Sequence, residues 1–151
     1  MALKIGDSIP DIELKDQNGD TFDFSSVKGV QPFVVYFYPK DFTPGCTKEA
    51  CSFRDKYEDF KELGAEVIGI SSDSEESHQK FVSKHNLPFI FLSDKDKTAR
   101  DLFGVKPNLL GMIPGRETFV FDMQGILRYK FNSMSASRHI PEALTALEKM
   151  K

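Results

Sequence analysis

The chain contains 151 residues, of which 20 are basic and 23 acidic, and its formal net charge at pH 7 is −3. This length predicts one domain over residues 1–151, large enough to fold around an apolar core without disulfide bonds or metals. No basic run or mixed aromatic and basic patch is present, which argues against nucleic-acid binding. No apolar run reaches membrane-spanning length, and residues 1–11 lack the apolar stretch of a signal peptide. We therefore expect a cytoplasmic protein, or an organellar one from which a transit peptide has been removed.

Predicted strands and helices alternate along the chain. A β-hairpin is indicated around Asn18-Gly19, because this dipeptide tolerates positive φ and the residues on either side alternate in polarity. The predicted strands are Ile12–Leu14, Thr21–Phe24, Phe33–Tyr38, Glu66–Ser71, Phe89–Leu92, Thr118–Asp122 and Ile126–Phe131. The predicted helices are Pro44–Leu63, Ser74–His85, Lys97–Phe103 and Glu142–Met150.

This order of elements predicts an α/β fold. The hairpin is followed by β-α-β-α-β-α and then by β-β-α, so a mostly parallel central sheet should be covered by helices on both faces. The closing β-β-α unit should add an antiparallel part. In sheets of this kind, reactive groups collect at the carboxyl ends of the strands.

Both cysteines of the chain, Cys46 and Cys51, lie where a predicted strand gives way to a helix. Thr43 is a favoured N-cap residue and Pro44 a favoured first helical residue, so Cys46 takes the third helical position. There the unpaired backbone N–H groups and the helix dipole favour a thiolate over a thiol. Gly45 has no side chain and leaves room for a small ligand beside the sulfur.

The spacing of the two cysteines separates their directions. On an ideal helix Cys46 belongs to an apolar stripe, and Cys51 lies roughly 140° away from it and faces outward. Their Cα atoms would be about 8.7 Å apart, beyond the limit of about 7 Å for a disulfide bond. The two sulfurs can therefore bond only if the helix opens, a pattern typical of one thiol that reacts and a second that resolves it. The stripe comprises Cys46, Ala50, Phe53, Tyr57 and Phe60.

Three other interpretations of the cysteine pair follow from the local pattern. Free cysteine is often a buried core residue, so a structural role stays open at this point. A zinc site is disfavoured because two cysteines supply only two ligands and no histidine is near them in sequence. A thioredoxin-type redox site would require Cys-x-x-Cys, which this spacing does not match.

The segment YFYPKDFTPGCTKEAC resembles the active site of peroxiredoxins, most closely that of the peroxiredoxin Q group, also called bacterioferritin comigratory proteins. The family's Pro-x-x-x-Thr-x-x-Cys motif is matched by Pro39, Thr43 and Cys46. The group's resolving cysteine is matched by Cys51, and the segment PGRETFVFD supplies Arg116 where the family has its catalytic arginine. The resemblance extends from GDSIPDIELKDQNG to the last helix. It implies a thioredoxin-like fold, with a mixed central sheet flanked by helices and an N-terminal β-hairpin extension.

The resemblance implies a thiol-dependent peroxidase acting on hydrogen peroxide and alkyl hydroperoxides. Cys46 would attack the peroxide and become a sulfenic acid, which Cys51 would convert into an intramolecular disulfide. The resemblance also implies recycling by thioredoxin, with glutaredoxin as the alternative, and a monomer. No flavin, nicotinamide or haem motif is visible in the sequence, so no cofactor is expected and the electrons should come from another protein. No metal site is expected either.

The other matched residues would bind the peroxide or shape its pocket. Arg116 offers a fixed fork of donors to the sulfur and the peroxide oxygens. The hydroxyl of Thr43 can accept a hydrogen bond from the peroxide or donate one to the thiolate. Backbone N–H groups near Gly45 and Cys46 would stabilise negative charge. Pro39 would stiffen and shield the pocket.

Two other functions compete with the peroxidase. One is a general thiol–disulfide oxidoreductase on the same fold, disfavoured by the four-residue gap between the cysteines and by the adjacent threonine. The other is a non-catalytic redox sensor or chaperone that signals by unfolding the helix.

The three histidines, His78, His85 and His139, are scattered in sequence, and we expect them to be exposed. Arg54 falls near the apolar stripe and is either a partner of the site or a residue at its flank.

Overall fold

Strands and helices alternate along the part of the chain that the computed structural model describes, residues 3–105, 115–133 and 135–150. The strands are β1 (Glu13–Asp16), β2 (Thr21–Asp23), β3 (Phe33–Phe37), β4 (Glu66–Ser71), β5 (Ile90–Ser93), β6 (Glu117–Phe121) and β7 (Leu127–Asn132). The helices are α1 (Pro44–Asp55), α2 (Tyr57–Glu62), α3 (Glu75–His85), α4 (Thr98–Phe103) and α5 (His139–Lys149). Short 3-10 helices cover Phe24–Ser26 and Ala136–Arg138.

The strands form one sheet in the order β2-β1-β5-β4-β3-β6-β7. Strands β3, β4 and β5 are parallel, whereas the N-terminal hairpin and the β6–β7 pair join them in antiparallel orientation. The predicted mixed sheet with an N-terminal hairpin is thus confirmed. None of the helices in the described residues is long and apolar enough to cross a membrane.

The central strand β3 has apolar side chains on both faces because the sheet is covered on both sides. On one face Phe33 stacks on Phe121 of β6, with ring centroids 4.9 Å apart. On the other face Tyr36 stacks on Phe53 of α1 at 4.5 Å. Helix α1 is therefore fixed on one face of the sheet, directly after the strand that precedes it in the chain.

The long helix predicted over Pro44–Leu63 is wrong in one respect, because it breaks at Lys56. That residue leaves helical geometry, with φ −104° and ψ 7°. Neither proline nor glycine occurs at the break, so local residue type gives no warning of it. Helix α2 takes its direction from tertiary contacts instead: Tyr57 donates a hydrogen bond to Glu66 of β4 at 3.0 Å.

The last helix begins earlier than predicted, at His139 rather than at Glu142. Pro141 falls within the first turn, where its missing N–H costs nothing. The predicted ends of α3 and α4 hold: Ser74 caps α3 by accepting a hydrogen bond from the Ser77 N–H at 3.1 Å, and Gly104 closes α4. The bounds of the predicted strands agree with those in the structure to within one or two residues.

Candidate active site

The two cysteines occupy one uninterrupted helix, α1, as the spacing predicted. Cys46 is in its first turn and is 1% exposed. Cys51 is half-buried, and both side chains are free thiols. Because they lie five positions apart on one helix, α1 must open before their sulfurs can bond.

The start of α1 differs from the predicted cap. Thr43 takes the N-cap position with extended backbone, and Pro44 follows as the first helical residue. The Thr43 hydroxyl makes no capping hydrogen bond, however, and donates instead to the Lys40 carbonyl at 2.8 Å. The N–H groups of Gly45 and Cys46 therefore receive no side-chain acceptor from Thr43. They are left to stabilise negative charge at the Cys46 sulfur or on a bound oxygen.

Arg116 reaches Cys46 across 70 residues of sequence. It directly precedes β6, and its neighbour Glu117 pairs with Phe37 at the end of β3. This register brings the guanidinium to the first turn of α1, where Nη2 donates to Cys46 Sγ at 3.4 Å. Arg116 is only 4% exposed, so water screens the interaction little. Pro114, the first residue of the matched PGRETFVFD segment, lies outside the described residues.

Gly45 contributes space for the guanidinium. A Cβ atom placed on Gly45 would lie 3.1 Å from Arg116 Nη2, closer than an ordinary van der Waals contact. The missing side chain therefore lets the arginine approach the helix. Access of a small ligand to the sulfur stays a prediction, since Cys46 is 1% exposed.

Glu49 is a partner of Arg116 that the sequence analysis did not identify. It lies one helical turn after Cys46, is fully buried, and accepts a hydrogen bond from Arg116 Nη1. Burial raises the pKa of Glu49 from its ordinary 4.5 to about 8, although Arg116 acts in the opposite direction. The same guanidinium thus faces two groups that can become anions, and burial favours the neutral form of Glu49.

Burial lowers the pKa of Arg116, but the nearby Glu49 and Cys46 outweigh that effect and leave it above its ordinary value. The guanidinium therefore stays charged at the sulfur. Its Nε atom and Oε2 of Glu49 have no hydrogen-bond partner within the part of the chain that the structure describes.

A buried histidine stands beside this pair. His139 donates from Nε2 to the Ser133 carbonyl at 2.7 Å, and its Nδ1 accepts the Thr118 hydroxyl at 2.7 Å. Its Nδ1 is 3.8 Å from Oε2 of Glu49. Burial lowers the pKa of His139 to about 4, so the ring is neutral at pH 7 and adds no positive charge to the site.

A second arginine, Arg100, holds the backbone around the site. It donates to the carbonyl of Gly115 at 2.9 Å and to that of Tyr38 at 3.0 Å. These carbonyls belong to the residues just before Arg116 and Pro39. Arg100 therefore links the segment that leads into Arg116 to the segment that directly follows β3.

The other predicted residues are placed less decisively. Pro39 is half-buried directly after Tyr38, and its shielding role stays a prediction. Arg54 donates to the His85 carbonyl at 2.7 Å and pairs with Asp55, so it joins α1 to the end of α3 and is not a partner of Cys46. The expected exposure of the histidines is wrong, since His85 is half-buried and the other two are buried. His78 and His139 are fully buried because each has hydrogen-bond partners at both ring nitrogens.

Comparison with known proteins identifies the family. The model of the AhpC/TSA family matches residues 5–130 of the chain. The chloroplastic peroxiredoxin Q of Sedum lineare is 50% identical over 147 residues, which cover 97% of this chain and 78% of that protein. The chain belongs to the AhpC/TSA family, in its peroxiredoxin Q group.

Relatives in other organisms agree with this assignment. The chloroplastic peroxiredoxin Q of Arabidopsis thaliana is 49% identical over 144 residues, covering 95% of this chain and 66% of that protein. Among solved structures, peroxidoxin BcpB from Mycobacterium tuberculosis superposes with a TM-score of 0.90 at 38% identity and covers 99% of both chains. The Xanthomonas campestris bacterioferritin comigratory protein, described for its alkyl peroxide reduction activity, has a TM-score of 0.87 at 29% identity, covering 98% and 97%. This peroxiredoxin is accordingly a thiol peroxidase with a thioredoxin-like fold.

Proposed function

We propose that Cys46 is the peroxidatic residue of this thiol peroxidase and that Cys51 resolves it. One observation carries the proposal. The buried Cys46 sulfur, in the first turn of a helix, accepts a hydrogen bond from the Arg116 guanidinium at 3.4 Å. A cation and unpaired N–H groups stabilise a thiolate, which is the nucleophilic form of cysteine. Cys51 lacks such an environment in the described residues, because it lies two-thirds of the way along α1.

The first step is attack of the Cys46 thiolate on the terminal oxygen of a hydroperoxide. An S–O bond forms as the O–O bond breaks, so the sulfur is oxidised by two electrons and keeps the terminal hydroxyl as a sulfenic acid. The departing oxygen takes a proton from water and leaves as an alcohol or water. Arg116 and the N–H groups of Gly45 and Cys46 stabilise the negative charge on the oxygen pair.

Thr43 orients the peroxide as an acceptor. Its hydroxyl hydrogen is used on the Lys40 carbonyl, so only its lone pairs are available to a ligand. The peroxide O–H therefore donates to Thr43, which holds the terminal oxygen that carries this proton beside the sulfur. Of the two roles expected for this hydroxyl, the contact favours acceptance from the peroxide over donation to the thiolate.

The second step is attack of Cys51 on the sulfenic acid, which forms the disulfide and releases water. It requires α1 to open between the two cysteines. A dithiol protein then returns two electrons, and we propose thioredoxin in that role, with glutaredoxin as the alternative.

We further propose that one monomeric domain carries the whole cycle, since both cysteines lie on one helix. The compartment is proposed to be the cytoplasm or an organelle. The chloroplastic names of the relatives support the organellar alternative.

The test is consumption of hydrogen peroxide and of an alkyl hydroperoxide in the presence of thioredoxin, its reductase and NADPH. We expect many turnovers in the wild type and none in Cys46→Ser. Turnover by Cys46→Ser would refute the assignment of the nucleophile. Disulfide reduction without peroxide turnover would favour a general oxidoreductase, and a single turnover despite excess reductant would favour a sensor.

A further inference from the structure

A second buried polar network lies under the loop between β3 and α1. Asp41 is 4% exposed and accepts hydrogen bonds from the Tyr38 hydroxyl at 2.6 Å and the Ser77 hydroxyl at 2.9 Å. His78 of α3 is fully buried, and its Nδ1 is 2.7 Å from Asp41 Oδ2. The mechanism described above uses none of these groups. The loop above this network, however, carries Thr43.

The two ring nitrogens of His78 both face acceptors. Nε2 is 3.0 Å from the Leu92 carbonyl, which cannot donate. Nδ1 lies 2.7 Å from Oδ2 of Asp41, a side chain that also accepts hydrogen bonds from two hydroxyls. His78 therefore connects the loop through Asp41 to α3 and, through Nε2, to β5. A buried hydrogen bond of this kind is costly to break because the partner left behind is unsatisfied.

Asp73 fixes the same loop through its backbone. Its Oδ2 accepts from the Asp41 N–H at 2.8 Å and from the Ser71 hydroxyl at 2.7 Å. The Asp41 N–H and the Lys40 carbonyl belong to one planar peptide group. Asp73 therefore fixes the orientation of the carbonyl that receives the Thr43 hydroxyl.

The backbone between these anchors is strained. Phe42 has a φ of 65°, in the left-handed region that an aromatic residue rarely adopts. Its ring is 45% exposed and contacts Phe81 at a centroid distance of 5.2 Å. A strained residue persists only where its surroundings determine its conformation. The anchored Asp41 on one side and the Thr43–Lys40 hydrogen bond on the other supply that constraint.

We propose that His78 and Asp73 are positioning residues for the peroxidase reaction, acting through the Lys40–Asp41 peptide on the Thr43 hydroxyl. The proposal rests on the role given to Thr43 under the proposed function. Side-chain atoms of Asp41, Asp73 and His78 lie within 4.8 Å of one another, a spacing that could also suit a metal. Their hydrogen-bonding atoms are already engaged with protein groups, which favours an anchor.

The test compares second-order rate constants for hydrogen peroxide in five single variants and two double variants. His78→Leu removes the hydrogen bond to Asp41, and Asp73→Ala removes the backbone anchor from a half-buried position. His78→Asn keeps an N–H donor near the position of Nδ1. Thr43→Val removes the hydroxyl, and Lys80→Gln, exposed on α3, is the control. His78→Leu and Asp73→Ala are each also made in the Thr43→Val background.

We expect His78→Leu and Asp73→Ala to lower the rate constant by about tenfold to a hundredfold, as small misplacements of a substrate-binding group do. His78→Asn should recover part of the loss, and Lys80→Gln should match the wild type. In the Thr43→Val background, both losses should shrink to within about twofold, since the group they position is gone. Alkylation of Cys46 by iodoacetamide should keep its wild-type rate throughout, because Arg116 and α1 are unchanged.

Full losses that persist in the Thr43→Val background would overturn the proposal, as would wild-type rates in Asp73→Ala. If Thr43→Val itself retained the wild-type rate, both this inference and the role of Thr43 would fall. The nucleophilic role of Cys46 would then still stand on the inactivity of Cys46→Ser. Should His78→Leu not fold, Asp73→Ala decides the question, because its side chain is partly exposed.

Discussion

The Nη2 atom of Arg116 lies 3.4 Å from the Sγ atom of Cys46, although the two residues are 70 positions apart in the chain. The antiparallel pairing of β6 with β3 creates this contact, because the residue before β6 is carried to the point where β3 ends. The chemistry of the site depends on this one approach. A buried cation beside a cysteine at a helix N-terminus stabilises the thiolate that attacks a peroxide.

Arg116→Lys should lower the second-order rate constant for peroxide by about a hundredfold. Lysine keeps the positive charge but cannot hold Cys46 and Glu49 at once with a planar fork, so a donor to the oxygen pair is lost. Stopped-flow oxidation measures the effect. Arg128→Lys is the matched control, since that arginine is exposed and pairs with Asp122 at the surface. A rate constant equal to that of the wild type would show that charge alone suffices.

Gly45→Ala should separate stability from activity. The added Cβ would meet Arg116 Nη2 at 3.1 Å, so the guanidinium must shift away from the sulfur. Gly45 lies in the first turn of α1, and alanine there should leave stability unchanged or raise it by about 0.4–1 kcal/mol. We expect the peroxide rate constant to fall by about tenfold. Thermal unfolding and stopped-flow kinetics on Gly45→Ala and the exposed control Lys48→Ala test this, and a simultaneous loss of stability would point to general disruption.

Glu49→Gln should retain most activity at pH 7, because Glu49, with its pKa raised to about 8 by burial, is already neutral there. Above pH 8 the wild-type carboxylate competes with the Cys46 thiolate for Arg116, whereas glutamine does not. The rate constant of the wild type should therefore fall relative to that of Glu49→Gln as the pH rises past 8. Parallel pH profiles of the two proteins would contradict this.

The same substitution should change the dependence of stability on pH. The folded-state pKa of Glu49 is raised, so its contribution to the free energy of unfolding is present below pH 4.5 and is lost as the pH rises to about 8. Subtracting the Glu49→Gln curve from the wild-type curve isolates this contribution. The difference should decline between pH 4.5 and 8, and a difference that rises over that range would reverse the assignment. Urea denaturation at several pH values provides both curves.

Oxidation should open α1 from about Thr43 to Arg54, since helix geometry keeps the two sulfurs apart. Phe53, fully buried against Tyr36, would lose its packing and expose apolar surface that a reductant could recognise. Hydrogen exchange on the reduced and oxidised forms measures the change. Amides over residues 46–54 should lose protection while those of β3 keep theirs. Equal protection in both forms would mean that the disulfide forms without opening the helix.

Local signals account for the parts of the fold and site that the sequence predicted. Thr43, Pro44 and Gly45 mark the start of α1, and the apolar stripe gives the buried direction of Cys46. The side-chain cap expected from Thr43 is absent, and its hydroxyl is held instead by the Lys40 carbonyl, to which it donates.

Long-range contacts account for what the sequence did not predict. Arg116 was placed at the site by family resemblance alone, since no local pattern specifies the pairing of β6 with β3. A signal for Glu49 existed, because an acidic residue three positions after Cys46 falls on the buried face of the helix. His78 was misjudged because a single histidine gives no sign of the acceptors that the fold supplies.

The most direct test of the account is the product of one equivalent of hydrogen peroxide with the reduced protein, identified by intact mass and peptide mapping. The wild type should lose two hydrogens, remain monomeric and yield a peptide in which Cys46 is bonded to Cys51. Cys51→Ser should instead stop at a sulfenic acid that dimedone traps on Cys46. A dimedone adduct on Cys51 of Cys46→Ser, or an intermolecular disulfide as the main wild-type product, would contradict the account.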